Sequence, residues 1–230
     1  MFVCGVPADA AAFSRVLTVE QTLFGKLSLP APVAEEFFRV SPEIFAVVSD
    51  PDGAVAAYST AFPLQERWAQ ALIAGDVVEP ELTPDMLLDR RASHEGAHVY
   101  IGSVVVDSQR DALTRSSLLA SLLSWRIRQL REFTIKRVSV MMMGVSKQGQ
   151  QLIRYTGAKK LNDGANRRDG YSIYGRAVSQ SFLYRATTTI ERCFNGGLIR
   201  MDMGSNWSSD RAYSICPDIR QAAPLPEAVL

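Results

Sequence analysis

The chain has 230 residues, 47% of them hydrophobic, enough to bury a core in one large domain or one domain with extensions. Its 25 basic residues nearly balance 24 acidic ones, and a net charge of +1 excludes a global field that would draw it to nucleic acid or a bilayer. Cys4, Cys193 and Cys216 show no paired spacing, so neither a disulfide framework nor a zinc site is indicated, and no window approaches about 18 consecutive apolar residues; the expectation is a soluble cytoplasmic protein without a membrane span.

From Ala8 to Phe24, Ala11, Phe13, Val16, Leu17 and Leu23 fall at helical spacing, and "PVAEEFF" opens with proline and early acids as helix starts do, so two helices are expected first. "IFAVVSDPDGAVAAYSTAF" then predicts an antiparallel hairpin, because Pro51 fixes φ and Gly53 supplies a positive φ at the turn. Residues 63–97 carry helical pieces, Glu66 to Ile73 and Pro84 to Arg91, around "AGDVVEPELT", and read as an insertion over the sheet. "HVYIGSVVVD" is a long strand, followed by a helix from Thr114 to Phe133 with Leu119, Leu123, Ile127 and Leu130 in one stripe and Arg126, Arg128 and Arg131 assigned to the wet face. A strand "IKRVSVMMM", a short helix "SKQGQQLIRYTGA" ending in Gly157 and a strand "DGYSIYGRAV" complete the order. Residues 179–230 are expected as a C-terminal extension, with residues 1–178 as the main domain.

This succession resembles the GNAT superfamily of acyl-CoA N-acyltransferases, most closely over "HVYIGSVVVDSQRDALTRSSLLASLL" and "MMMGVSKQGQQLIRYTGAKKL". The resemblance implies an α/β (α+β) fold: a mixed, mostly antiparallel central sheet flanked by helices, with an inserted helical segment. It also implies a cofactor turn of the form R/Q-x-x-G-x-G/A, in which backbone N–H groups at a helix N-terminus hold a diphosphate. Arg110 stands for the opening residue, and the glycine positions fall on Leu113 and Arg115. The turn expected to bind cofactor is therefore Arg110, Asp111, Ala112, Leu113, Thr114, Arg115 and Ser116, with Val104, Val105 and Val106 contacting it through their backbone on a bulged or splayed strand. A second motif, N-x-x-A-x-x-L-Y-x-x-x-G-F, places Ser146 at its start, as helix N-cap and cofactor contact, and Ile153 where the family carries a tyrosine that protonates the departing thiolate. Tyr155 lies two residues on, turned about 200° away on a helix.

The implied activity is transfer of an acetyl or longer acyl group from acyl-CoA to an amine, on a small molecule or a peptide. Glu95 and His94, just before the long strand, are the candidates for taking the amine proton, and Asp107 reads as a turn residue. Delivery of the acyl group by an acyl carrier protein and pairing into a homodimer are further expectations. His94 and His98 are separated by Gly96 at the onset of a strand, so no metal is assigned. The alternative is a catalytically inactive GNAT-like module that binds an acyl-CoA or a protein. Nucleic acid is not the expected partner, because the arginines of "RIRQLREFTIKR" spread around their helix instead of lining one face.

Overall fold

The computed structural model describes residues 2–88, 97–132, 137–186 and 199–201. The chain opens on a strand, β1 (Phe2–Gly5), not on a helix. Four residues are too short a run to show periodicity, and only pairing to two neighbours makes them a strand. Helix α1 (Ala10–Phe24) follows, its N-terminus capped by Asp9, which accepts from the Ala12 amide at 2.7 Å. Helix α2 (Ala31–Val40) carries its proline in the first turn, where no intrahelical donor is lost. Between β2 (Phe45–Ser49) and β3 (Val55–Leu64) the expected turn forms: Asp50 Oδ1 accepts from the Asp52 and Ala54 amides at 3.0 and 2.9 Å, and Gly53 takes φ +80°.

The segment after β3 gives one helix, α3 (Glu66–Ala74), then single 3-10 turns at Glu79–Glu81 and Pro84–Met86. The helix expected from Pro84 is only that turn among the described residues, because Leu87 bridges to Leu64 at the end of β3. Strand β4 (Ala97–Val106), helix α4 (Ala112–Arg131), strand β5 (Arg137–Met143) and helix α5 (Lys147–Tyr155) follow in the expected order. A short strand, β6 (Lys159–Asn162), precedes β7 (Ile173–Ser179); its sequence KKLN has no alternation to announce it. A final three-residue strand is β8 (Ile199–Met201).

The described strands form one sheet in the order β6-β7-β5-β4-β3-β2-β1-β8. Neighbours are antiparallel except β4 with β5 and β1 with β8. On one face, α1, α2 and α3 cover a core of Phe13, Leu17, Phe37, Phe62, Leu72 and Tyr100. On the other, α4 buries Leu118, Leu119 and Leu122 against Cys4, Val48, Ala57 and Val106.

The wet-face assignment fails for Arg126, which is 5% exposed and points into the sheet. Its guanidinium donates to Ser59 Oγ at 2.8 Å, to the Ser59 and Ile44 carbonyls, to the Glu43 carbonyl at 2.9 Å and to Gln129 Oε1 at 2.6 Å. A buried arginine is tolerated where polar acceptors satisfy its fixed fork of donors, and the carbonyls ahead of β2 do so here. Arg131 is exposed, its guanidinium 5.1 Å over the Tyr184 ring.

Candidate active site

The site grows from a defect in the sheet. Strand β4 pairs with β5 from Ala97 to Ile101; β5 ends one residue beyond that pairing, at Met143, whereas β4 runs on to Val106. The edge of β4 from Gly102 to Val106 that faces β5 then has no strand partner among the described residues. On its other side, β4 stays paired with β3 but slips register: Ser59 faces Val104 while Ala61 faces Ile101. Three steps along β4 thus oppose two along β3, a bulge at Gly102–Ser103. The bulge turns both residues toward the α1 face. Gly102 is required there, since a Cβ would lie 2.8 Å from both Glu79 Oε1 and Thr60 Oγ1. Ser103 donates its amide to Thr60 Oγ1 at 2.9 Å and its hydroxyl to Glu20 Oε1 at 2.8 Å.

Around this bulge two carboxyl groups are buried. Glu79, from the 3-10 turn after α3, is 5% exposed and accepts from the Tyr100 hydroxyl at 2.6 Å. Glu20, from α1, is 7% exposed, and its Oε2 and the buried Tyr58 hydroxyl have no hydrogen-bond partner within the described residues. A small cavity of about 10 Å³ is lined on its polar side by Glu20, Thr60 and Glu79. Burial, then the charge of Glu20, pushes the Glu79 carboxyl up to about 8, against the opposing hydrogen bond from Tyr100. Burial likewise raises Glu20 above the usual carboxylate range, opposed by the hydroxyls of Tyr58 and Ser103. Both acids beside the β4 bulge thus have raised proton affinity, and Glu79, at about 8, holds its proton near neutral pH.

The sequence-expected residues fall as follows. Val105 and Val106 are buried, Val105 on the α1 face and Val106 against α4, and half-buried Val104 also packs toward α4; their side chains are core and their backbone lies on the open edge. Arg110 donates Nε to Asp107 at 2.9 Å and a terminal nitrogen to Asp50 at 3.1 Å, and lies 5.7 Å over the Phe2 ring. Asp111 is the N-cap of α4: Oδ1 accepts from the Leu113 and Thr114 amides at 3.1 and 3.0 Å, and Oδ2 from the Thr114 hydroxyl at 2.6 Å. Ala112 and Leu113 are exposed, Thr114, Arg115 and Ser116 half-buried, and Ser116 returns its hydroxyl to the Ala112 carbonyl. Ser146 caps α5 by accepting from the Gly149 amide at 2.9 Å. Ile153 is 4% exposed beside Gly144, whereas Tyr155 is 71% exposed. Glu95 and His94 lie outside the described residues.

A pantetheine arm, which carries amides, fits the unpartnered edge of β4. A diphosphate does not fit the turn as it stands, because the amides that would receive it already serve the Asp111 carboxylate. Tyr58 and Glu79 had no signal in the sequence beyond their type, Glu79 lying in an unpatterned loop. Glu20 did carry one: it falls three and four positions from Val16, Leu17, Leu23 and Phe24, on the apolar side of its helix, although only the sheet brings it together with Glu79.

No family model matches the chain, and no curated protein matches it. Among solved structures, the loading GNATL domain of CurA from Lyngbya majuscula is similar at TM-score 0.54 and 10% identity, over 79% of this chain and 98% of that one. The NatC complex bound to Gag peptide and CoA matches at TM-score 0.48 and 12% identity, over 77% of this chain and 98% of that one. Ard1 from Thermoplasma volcanium matches at TM-score 0.47 and 13% identity, over 77% and 97%. The mixed, mostly antiparallel sheet, with β4 and β5 parallel near its centre and helices on both faces, is the GNAT fold.

Proposed function

We propose that the protein transfers an acyl group from a thioester borne on a pantetheine arm, the arm that acetyl-CoA and other acyl-CoAs carry, to an amine. The observation that carries this is the stretch of β4 that runs on past its pairing with β5, beside a bulge that holds two buried acids. In the transfer a C–N bond forms as the C–S bond breaks, the amine gives up one proton and the thiolate takes one. The free backbone groups of Val104, Val105 and Val106 would hold the arm and point an N–H at the thioester carbonyl, where negative charge develops. Ser103, hydrogen-bonded to Glu20, would pass the amine proton to that carboxylate, with Glu79 and Tyr100 holding a second proton alongside. Glu95 and His94, which precede this strand in the sequence, remain proposed proton acceptors.

The buried Ile153 has no proton to give the leaving thiolate, and Tyr155 faces solvent. A thiolate that leaves without a donor favours slow transfer and strong dependence on amine basicity. Thiol release from acetyl-CoA or from S-acetylpantetheine, measured with and without added primary amines, tests the proposal. Amine-dependent release is expected. In Glu20→Gln it should fall by about 10²-fold or more, with loss of the acid limb of the pH profile while thioester binding persists. Absence of thioester binding and of amine-dependent release in the unaltered protein would sink acyl transfer.

A further inference from the structure

The α4 turn and the β2–β3 turn beside it supply three carboxylates, Asp50, Asp107 and Asp111, and Arg110 bridges the first two. Arg110 is committed to two of them, and Asp50 and Asp107 are themselves fixed by amides of their own turns: Ala54 donates to Asp50 at 2.9 Å and Gln109 to Asp107 at 2.9 Å. The third, Asp111, occupies the position an anion would take at the helix N-terminus and accepts both of the amides aimed there. Hydrogen bonds from the Thr114 hydroxyl and amide hold the Asp111 carboxyl below its ordinary range, so it keeps its charge at neutral pH. A diphosphate brought to this turn would meet a carboxylate already bound to the Leu113 and Thr114 amides and, in Arg110, an arginine already paired with two carboxylates. The β4 edge differs: from Gly102 to Val106 its side toward β5 has no strand partner among the described residues.

We infer that the donor is read through its pantetheine arm alone and that Asp111 selects against a thioester ending in a nucleoside diphosphate. The inference rests on the proposed acyl transfer and names its donor class: a pantetheine thioester without a diphosphate, whether free or carried on a protein. Asp111 is the specificity-determining residue. Asparagine at this position keeps an N-cap acceptor and removes the charge, so Asp111→Asn separates electrostatic exclusion from loss of the helix end.

Binding of acetyl-CoA, S-acetylpantetheine and an acyl carrier protein bearing the same acetylated arm is measured by calorimetry on the full chain and on Asp111→Asn. S-acetylpantetheine is expected to bind the unaltered protein at least as tightly as acetyl-CoA. Removing one unit charge next to the phosphates should tighten acetyl-CoA by about tenfold in Asp111→Asn, with S-acetylpantetheine unchanged. If the carrier-borne arm binds much more tightly than S-acetylpantetheine, the donor arrives on a protein; if equally, it arrives as a free thioester; either agrees with the inference. Acetyl-CoA binding tenfold or more tighter than S-acetylpantetheine in the unaltered protein, or no gain for acetyl-CoA in Asp111→Asn, would overturn it and leave acyl transfer standing. Failure of all three thioesters to bind would remove acyl transfer itself, and the donor assignment with it.

Discussion

Glu79 is the residue whose state most depends on the fold. In an unfolded chain it titrates near its ordinary 4.5, whereas in the folded protein burial and the neighbouring Glu20 raise it to about 8. Between those values the folded state binds the extra proton, so stability is full below about 4.5, declines as pH rises through the window, and levels off above about 8. Glu20, also raised, adds a decline of the same sign. Thermal melts across this window should show the decline, and Glu79→Gln, which still accepts from Tyr100, should flatten most of it. Equal slopes in the two proteins would show that Glu79 is ionised in the fold. None of this was visible in "AGDVVEPELT", since a glutamate in a loop reads as solvated until a second acid and the β4 bulge are brought against it.

At the scale of elements, α4 shows where periodicity stops being informative. The leucine stripe of α4 was legible and packs as expected, with Leu118, Leu119, Leu122 and Leu130 buried. Arg126 was not, because a charged side chain on a helix is counted as exposed unless acceptors await it. Its acceptors are backbone carbonyls of Glu43, Ile44 and Ser59, more than sixty positions away in sequence. Arg126→Leu would take this donor from the buried Ile44 and Ser59 carbonyls, at about 1–3 kcal/mol each, while the Glu43 carbonyl keeps the Gln129 side-chain amide at 3.0 Å. A loss of about 3–5 kcal/mol in urea unfolding is therefore expected, with α4 loosened from β2 and β3; a loss under about 1 kcal/mol would show that the clamp is replaceable. The bulge in β4 belongs to the same class of feature. Its valines were legible as a strand, and the resemblance to known acyltransferases supplied the expectation of a bulge or splay, but nothing local in "YIGSVVV" places the slip at Gly102–Ser103.

At the scale of the whole molecule, the loop after β6 ties the segment that supplies Glu79 to the rest of the sheet. Arg167 has its side chain wholly enclosed, pairs with Asp169, and donates to the Leu72 and Ile73 carbonyls at the end of α3. Arg168 beside it reaches Glu81 and the Gly75 and Asp76 carbonyls but remains half in solvent. The two should separate cleanly in denaturation: Arg167→Ala leaves Asp169 as an uncompensated buried charge and should cost about 3–5 kcal/mol, while Arg168→Ala should cost about 1 kcal/mol or less. Equal costs would place both pairs in the same environment.

The sequence by itself determined the order of the main helices and strands, the Asp50–Gly53 turn, the cap at Ser146, and the resemblance that anticipated the GNAT fold. Each of these is written in neighbouring residues, as periodicity, turn chemistry or a short motif. Only the tertiary structure decided that β1 and β6 are strands, that Arg126 faces inward, that the α4 turn is closed by its own carboxylate, and that Glu20 and Glu79 meet at the broken edge of β4. Those features depend on groups brought together across the sheet, where burial and competing hydrogen bonds set what a side chain does, and no local pattern records them.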